Sequence, residues 1–134
     1  MAKLEMVEGI GSKYADTLRQ AGIGSTKSLL NKGATPTGRK QIARDTGLSA
    51  KLILEWVNHV DLFRIKGVGE EYADLLEEAG VDTVVELAQR SPDNLHAAIL
   101  ETNQSKKLVR RPPSKNMVHD WVKMAKKLPR KIEY

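Results

Sequence analysis

The chain is 134 residues long, carries no cysteine and has a formal net charge of +5 at pH 7. The lack of cysteine excludes disulfides, thiolate zinc sites and a cysteine nucleophile, and it favours an intracellular protein. No apolar run approaches the roughly 18 residues of a membrane span, and the first residues lack the apolar core of a signal peptide. We therefore expect a cytoplasmic protein with no membrane partner.

The charges are segregated along the chain. Residues 1–64 hold 10 lysines and arginines against 6 acidic residues, residues 65–101 hold 2 against 9, and residues 102–134 hold 10 against 2. This division is compatible with a basic face for phosphate and an acidic face for something else.

The chain repeats itself. The stretch "VEGIGSKYADTLRQAGI" at residues 7–23 is echoed by "IKGVGEEYADLLEEAGV" at residues 65–81, an offset of 58 residues. At an offset of 65, "LSAKLILEWVNHV" from Leu48 falls on "PSKNMVHDWVKMA" from Pro113, which pairs Trp56 with Trp121. The second copy therefore carries about seven extra residues, in or near "TNQSKKLVRR". A repeat of this kind predicts an internal duplication.

The local signals are helical in both copies. Apolar residues recur at i, i+3, i+4 and i+7, and no stretch alternates as a strand would. These stripes are Ile53, Trp56, Val57 and Val60 in the first copy and Val118, Trp121, Val122 and Ala125 in the second. We predict an all-α fold with domains at residues 1–63 and 64–127 and a basic C-terminal tail at residues 128–134.

Several residues mark where the helices begin and end. Gly22 and Gly80 stand where a helix favours a left-handed residue after its last turn. Thr35 before Pro36 and Ser91 before Pro92 each place a capping hydroxyl ahead of a first-turn proline, and Thr83 with Glu86 fits a capping box. Each copy is therefore expected to contain four or five short helices.

The turns "GIG" and "GVG" each precede a helix. Glycine lets the backbone turn tightly and approach a ligand closely, while the first amides of the following helix carry the positive end of the helix dipole. Such a turn can bind a phosphate oxygen without reading a base. Two copies in matching context, each continued by "YAD" and closed by "AG", predict a helix-hairpin-helix motif.

The stretch "GVGEEYADLLEEAGVDTVVELAQRSPDNL" resembles the N-terminal helix-hairpin-helix domain of archaeal and eukaryotic RecA-type recombinases. Over nearly its full length the chain also resembles an uncharacterised bacterial family of tandem helix-hairpin-helix proteins. The resemblance implies two SAM-like helical domains in which paired hairpins hold the backbones of a duplex. It brings no ATPase, nuclease or lyase residues with it.

On the first copy, the resemblance implies a nucleic-acid site made by two hairpins, "GIGSK" and "TGLS". The implied binding residues are Gly9, Ile10, Gly11, Ser12, Lys13, Gly47, Ser49 and Lys51.

The second copy departs from this pattern. Glu70 and Glu71 follow its glycines and place two carboxylates where phosphate would bind. Each like-charge contact is expected to cost on the order of 1 kcal/mol, comparable to one helix-terminal anion interaction. Pro112 and Pro113 also remove amide donors from "RRPPS", the partner hairpin of this copy. We expect phosphate binding there to be largely cancelled.

Two rival interpretations stay open. The acidic helix of the second copy is an alternative protein-docking surface, formed by Glu70, Glu71, Glu77 and Glu78. The segment "GRKQIARDTGLSAKLILEWV" also fits a DNA-reading helix-turn-helix, whose second helix would present Lys51 and Glu55 to the major groove.

Nothing in the sequence predicts an enzyme. His59, His96 and His119 show no metal-ligand spacing and no serine partner, and none of the lysines is singled out for Schiff-base chemistry. We expect no cofactor and no metal. The leading hypothesis is a non-catalytic protein that binds DNA through the phosphate backbone, with little sequence preference, chiefly through the first copy.

Overall fold

The computed structural model describes residues 3–134, and this range contains helices and no strand. The all-α prediction is confirmed. After a turn of 3-10 helix at Leu4–Met6, the α-helices of the described range are α1 (Ser12–Gln20), α2 (Thr26–Gly33), α3 (Pro36–Thr46), α4 (Ala50–Leu62), α5 (Glu70–Glu78), α6 (Val84–Ala88), α7 (Pro92–Lys106) and α8 (Lys115–Lys127). Within residues 3–134, none of these helices has the length and apolar character that crossing a membrane requires.

The chain divides into two compact units. The first runs up to Asp61 and takes in Lys131–Tyr134, and the second is Leu62–Arg130. The four last residues of the predicted tail therefore lie with the first unit. The chain leaves that unit once and returns to it at its end.

Hydroxyl side chains begin five of the helices in residues 3–134. Each accepts a hydrogen bond from the backbone amide three residues further on, at 3.2 Å for Ser25, 3.0 Å for Thr35, 3.1 Å for Ser49, 3.3 Å for Thr83 and 3.1 Å for Ser114. The caps at Thr35 and Thr83 confirm the sequence predictions. Each such cap contributes about 1 kcal/mol because it satisfies an amide that the helix leaves unpaired. The cap predicted at Ser91 is wrong, because its side chain makes no cap hydrogen bond. The capping box is incomplete, because Glu86 accepts the Asp82 amide, at 3.3 Å, and not that of Thr83.

The C-terminal ends of α1 and α5 are closed in the same way. Gly22 and Gly80 have φ of 87° and 97°, as the sequence predicts. The amides that follow them, of Ile23 and Val81, donate to Leu18 and Leu76 at 2.9 Å. These bonds turn the chain back so that Ile23 and Val81 enter the core of their unit.

The predicted apolar stripes form part of the core of each unit. No side chain of either stripe is more than 3% exposed. Burying a side chain of this size stabilises the fold by about 1.5–3 kcal/mol. Trp56 and Trp121 are the largest members, and each lies beneath a glycine turn.

Arg39 fixes the C-terminal end of the chain to the first unit. Its Nη1 donates to the Gly33 carbonyl at 2.8 Å and its Nη2 to the Glu133 carbonyl at 2.7 Å, while the Glu133 amide donates to Ala34 at 2.7 Å. Ile132 beside them is 2% exposed. Burial lowers the pKa of Arg39, but a guanidinium stays charged in a protein. Residues 131–134 are therefore held by backbone hydrogen bonds and by apolar packing.

The junction of α2 and α3 leaves no room for a side chain at Gly38. A Cβ there would lie 1.9 Å from the Lys32 carbonyl oxygen, which is backbone at the end of α2. Because that oxygen cannot rotate away, any larger residue has to push the two helices apart. Gly38 is set by packing and not by an unusual φ.

We predict that Gly38→Ala lowers the free energy of unfolding by about 1–3 kcal/mol, the usual cost of overpacking. Gly24→Ala is the control, because a Cβ at Gly24 meets nothing within 4 Å. The control should stay within about 0.5 kcal/mol of wild type in urea unfolding. Equal stability of the two variants would show that the junction can relax.

Candidate functional site

The first glycine turn, Gly9–Gly11, connects the 3-10 turn to α1. Gly9 has φ of 91°, and the Ile10 amide donates to Val7 at 3.0 Å to close the turn. The Ile10 side chain is 3% exposed, whereas both glycines are exposed. The buried Ile10 side chain therefore anchors the turn, and the part of the turn that solvent reaches is the backbone of the two glycines.

An aromatic pair holds this turn in place. A Cβ on Gly9 would lie 3.5 Å from Nε1 of Trp56 on α4. The rings of Tyr14 and Trp56 are 5.2 Å apart between centroids and tilted by 57°. Pairs of this geometry contribute about 0.5–1.5 kcal/mol beyond the area they bury. The position of the turn thus depends on α4 and not on the turn residues alone.

The N-cap residue of α1 leaves the first backbone amides of the helix without a hydrogen-bond partner in the range that the structure describes. Gly11 is the N-cap residue and has no side chain, so no side-chain bond satisfies the first amides. Within residues 3–134 the amides of Ser12, Lys13 and Tyr14 donate to nothing, while that of Ala15 donates to Gly11 at 3.0 Å. The first turn of α1 contains no acidic residue. These amides can therefore donate hydrogen bonds to an anion, whose negative charge the helix dipole favours.

The charges around α1 leave Lys13 available. Arg19 pairs with Glu5 at 2.7 Å and with Asp16 at 3.5 Å. The hydrogen bond that Arg19 donates to Glu5 holds the pKa of Glu5 below its ordinary value. Lys13 is exposed and makes no ion pair within the described part of the chain. An exposed carboxylate, Glu8, precedes the turn and opposes an anion there.

The second predicted hairpin of the first copy lies between α3 and α4. Gly47 has φ of 76° and ends α3. Ser49 precedes α4, and its hydroxyl accepts the Leu52 amide at 3.1 Å. Its hydroxyl thus serves as a helix cap. The amides of Gly47 and Leu48 are also engaged, since they donate to the Ala43 carbonyl at 2.9 Å and to the Thr46 hydroxyl at 3.2 Å. The exposed Lys51 is left to meet an anion. Lys51 precedes Trp56 by five residues on α4, about 7.5 Å along the helix axis.

The turn of the second unit has the same backbone. Gly67 has φ of 92°, and a Cβ on it would lie 3.5 Å from Nε1 of Trp121. The rings of Tyr72 and Trp121 are 5.3 Å apart and tilted by 55°. The difference lies in the charge, because Glu70 and Glu71 occupy the first turn of α5 and are exposed. Their carboxylates interact favourably with the positive end of the α5 helix dipole, whereas the first turn of α1 contains no such carboxylate.

The four glutamates of the predicted docking surface do not share one environment. Glu70 and Glu71 are exposed, whereas Glu77 is half-buried and engaged within the protein. Glu78 forms an ion pair with Lys106. Only the N-terminal pair is presented to solvent without a partner in residues 3–134.

A further polar cluster joins α7 and α8 and was missed in the sequence. His119 Nε2 lies 2.8 Å from Asp93 Oδ1, and Lys115 Nζ lies 3.5 Å from the same oxygen. Asn116 and Asp120 line the shallow groove beside them. His119 and Lys115, in that order, hold the pKa of Asp93 below its ordinary value. Asp93 and His119 are 26 residues apart, so no local sequence pattern predicts that they interact.

The lowered pKa of Asp93 gives a pH dependence with a definite sign. The pairing stabilises the protein above the ordinary carboxyl pKa near 3.9 and is lost as the pH falls through the lower pKa of the folded state. We predict that Asp93→Asn reduces the loss of stability between pH 5 and pH 2, measured by urea unfolding.

His119→Ala is the matched control for that prediction, because it removes the hydrogen bond that lowers the Asp93 pKa and keeps the carboxylate. It should reduce the acid dependence in the same direction. An acid dependence equal to that of wild type in both variants would show that the pair contributes nothing.

Within residues 3–134 no cluster of three or more histidine, aspartate or glutamate side chains is arranged to hold a metal ion. The site residues are thus backbone amides, one hydroxyl and lysines. This set suits an anion and offers no nucleophile activated by a neighbouring base.

Comparison with known proteins places the chain in a family. No curated protein and no solved structure matches it. A family model does match, over residues 8–128, and so covers both glycine turns and both tryptophans. The chain belongs to the family described as a domain of unknown function (DUF4332).

Proposed function

We propose that this protein is a non-enzymatic DNA-binding protein that holds the phosphate backbone with little sequence preference, through the Gly9–Lys13 turn of its first unit. In this proposal the two units are helix-hairpin-helix domains that arose by duplication. The matching φ values and matching tryptophan contacts of the two turns support the duplication.

The observation that carries the proposal is that the structure has room for a side chain at Gly11. Its φ of −84° suits any residue, and a Cβ there meets nothing within 4 Å. The fold therefore does not require glycine at this position, and a serine or aspartate would cap α1 better. What glycine gives is free access to three unpaired amides and the exposed Lys13.

The second turn provides a comparison within the same molecule. Gly69 is equally open, with nothing within 4 Å of a Cβ, but Glu70 and Glu71 follow it. A phosphate approaching there meets two carboxylates, each costing on the order of 1 kcal/mol. This contrast supports phosphate binding at the first turn and opposes it at the second.

The experiment is a titration of a fluorescent DNA duplex with the full chain at several salt concentrations. If about four phosphates are neutralised, log affinity falls with log salt at a slope of roughly −3 to −4, and it falls alike for duplexes of different sequence. No binding even at low ionic strength would remove the proposal. Tight binding to one sequence only would favour the helix-turn-helix interpretation of α3 and α4.

Gly11→Ser and Gly69→Ser make the same change at the two turns. Each should stabilise the protein by a few tenths of a kcal/mol because serine caps the helix. Gly11→Ser should weaken DNA binding about three- to tenfold by occupying one phosphate contact, whereas Gly69→Ser should leave binding unchanged. Equal affinity of both variants would move the site away from the first turn.

A further inference from the structure

The connection between α7 and α8 is longer than its counterpart in the first unit. Residues 107–113 separate the end of α7 from Ser114, the N-cap of α8. Between α3 and Ser49 the first unit has only Gly47 and Leu48. We call residues 107–113 the basic connection, because Lys107, Arg110 and Arg111 lie in it.

Side chains of α5 and α7 hold the backbone of the basic connection. Asn103 pairs with both backbone groups of Val109, donating from Nδ2 to its carbonyl at 3.1 Å and accepting its amide at 3.0 Å. Tyr72 donates to the Arg111 carbonyl at 3.0 Å, and His96 Nε2 lies 3.1 Å from the Pro113 carbonyl. Val109 and Pro113 are buried. The cations therefore project from an ordered backbone.

The three cations of the basic connection are exposed and are not neutralised by ion pairs within residues 3–134. By contrast, the neighbouring Lys106 is paired with Glu78. A groove runs along this segment, lined by residues 107–111 together with Tyr72 and Glu71. Three positive charges thus face one carboxylate. Two adjacent guanidinium groups match the geometry of phosphate oxygens, which they bind through paired donors.

The backbone at Lys107 points to a role for its charge. Lys107 has φ of 51°, and it is the single residue other than glycine with positive φ among residues 3–134. The residue that ends α3 in the same way is Gly47, at φ of 76°. Glycine costs least in this conformation. Lysine at this position is less stable than glycine would be, and it adds a cation to the lining of the groove.

We infer that the basic connection is a second binding site for nucleic-acid phosphates, with Arg110 and Arg111 as the principal contacts and Lys107 as a third. The inference rests on the proposed function, since it assigns the same ligand to a different surface. In the second unit, arginine side chains on a fixed backbone take over from the glycine turn that Glu70 and Glu71 block. Glu71, which lines the groove, opposes the ligand.

The test is salt-dependent binding of a short DNA duplex by the full chain carrying Arg110→Gln and Arg111→Gln together. Loss of two phosphate contacts should make the salt slope shallower by about 1.8 and weaken binding at low salt at least tenfold. The midpoint of thermal unfolding should not move, since both side chains are exposed. Lys126→Gln with Lys127→Gln, in the last turn of α8, removes the same charge and should change the slope less.

Two single substitutions separate this account from a general charge effect. Lys107→Gly should raise the midpoint of thermal unfolding and weaken binding, whereas Glu71→Gln should strengthen binding. Arginine variants that bind like the lysine control would overturn the inference. A competition experiment gives a second such outcome. If polyglutamate displaces the labelled duplex as effectively as unlabelled DNA at equal charge concentration, the inference is also overturned.

The outcomes for the two surfaces are distinguishable. If wild type binds no DNA, the proposed function and this inference fail together. If Gly11→Ser weakens binding and the arginine variant equals its control, this inference fails and the proposed function stands. If the arginine variant weakens binding and Gly11→Ser does not, the basic connection stands as a site and the first turn does not.

Discussion

Each unit depends on one tryptophan buried beneath a glycine turn. Trp56 and Trp121 are 2% and 3% exposed, and a Cβ on the first glycine of each turn would lie 3.5 Å from the indole nitrogen. Each also packs against a tyrosine from the helix that follows the turn. The tryptophan thus fixes the angle at which the next helix starts. Because the position of the amides follows from this packing, the electrostatics of the turn can change while its geometry does not.

That separation explains how two nearly identical turns differ in chemistry. The first turn of α1 presents unpaired amides, Ser12 and Lys13, and the first turn of α5 presents Glu70 and Glu71. Interactions at helix ends contribute about 0.3–1 kcal/mol each, so two carboxylates in place of a neutral serine and a lysine oppose an anion that the first turn would favour. The packing residues beneath the turn contribute several times more to stability and are alike in both units. In our proposal the two copies share the packing that positions the turn, and the exposed residues of each turn determine whether it binds phosphate.

Much of the fold could be predicted from the sequence because it rests on local patterns. The apolar stripes of α4 and α8, the caps at Thr35 and Thr83, and the left-handed glycines at Gly22 and Gly80 follow from spacing over a few residues. All of these are confirmed. The placement of the candidate site residues at a helix start is equally local, whereas their role in binding stays a prediction.

The parts that were missed depend on contacts between distant residues or on unfavourable local choices. Arg39 reaches Glu133, and Asp93 reaches His119, across separations that no periodicity encodes. The capping role of Ser49 was also missed, because its hydroxyl accepts the Leu52 amide at the start of α4, while its role in binding stays a prediction. The left-handed Lys107 is the least predictable, because lysine carries no signal for that conformation.

The central claim is that the amides at the start of α1 receive a phosphate while those at the start of α5 do not. Amide chemical shifts of the full chain, recorded as a short DNA duplex is added, test it within one molecule. We predict that the amides of Gly11, Ser12, Lys13 and Tyr14 shift in a saturable manner and that those from Gly69 to Tyr72 move far less. Equal shifts at both turns, or shifts confined to α5, would contradict the account.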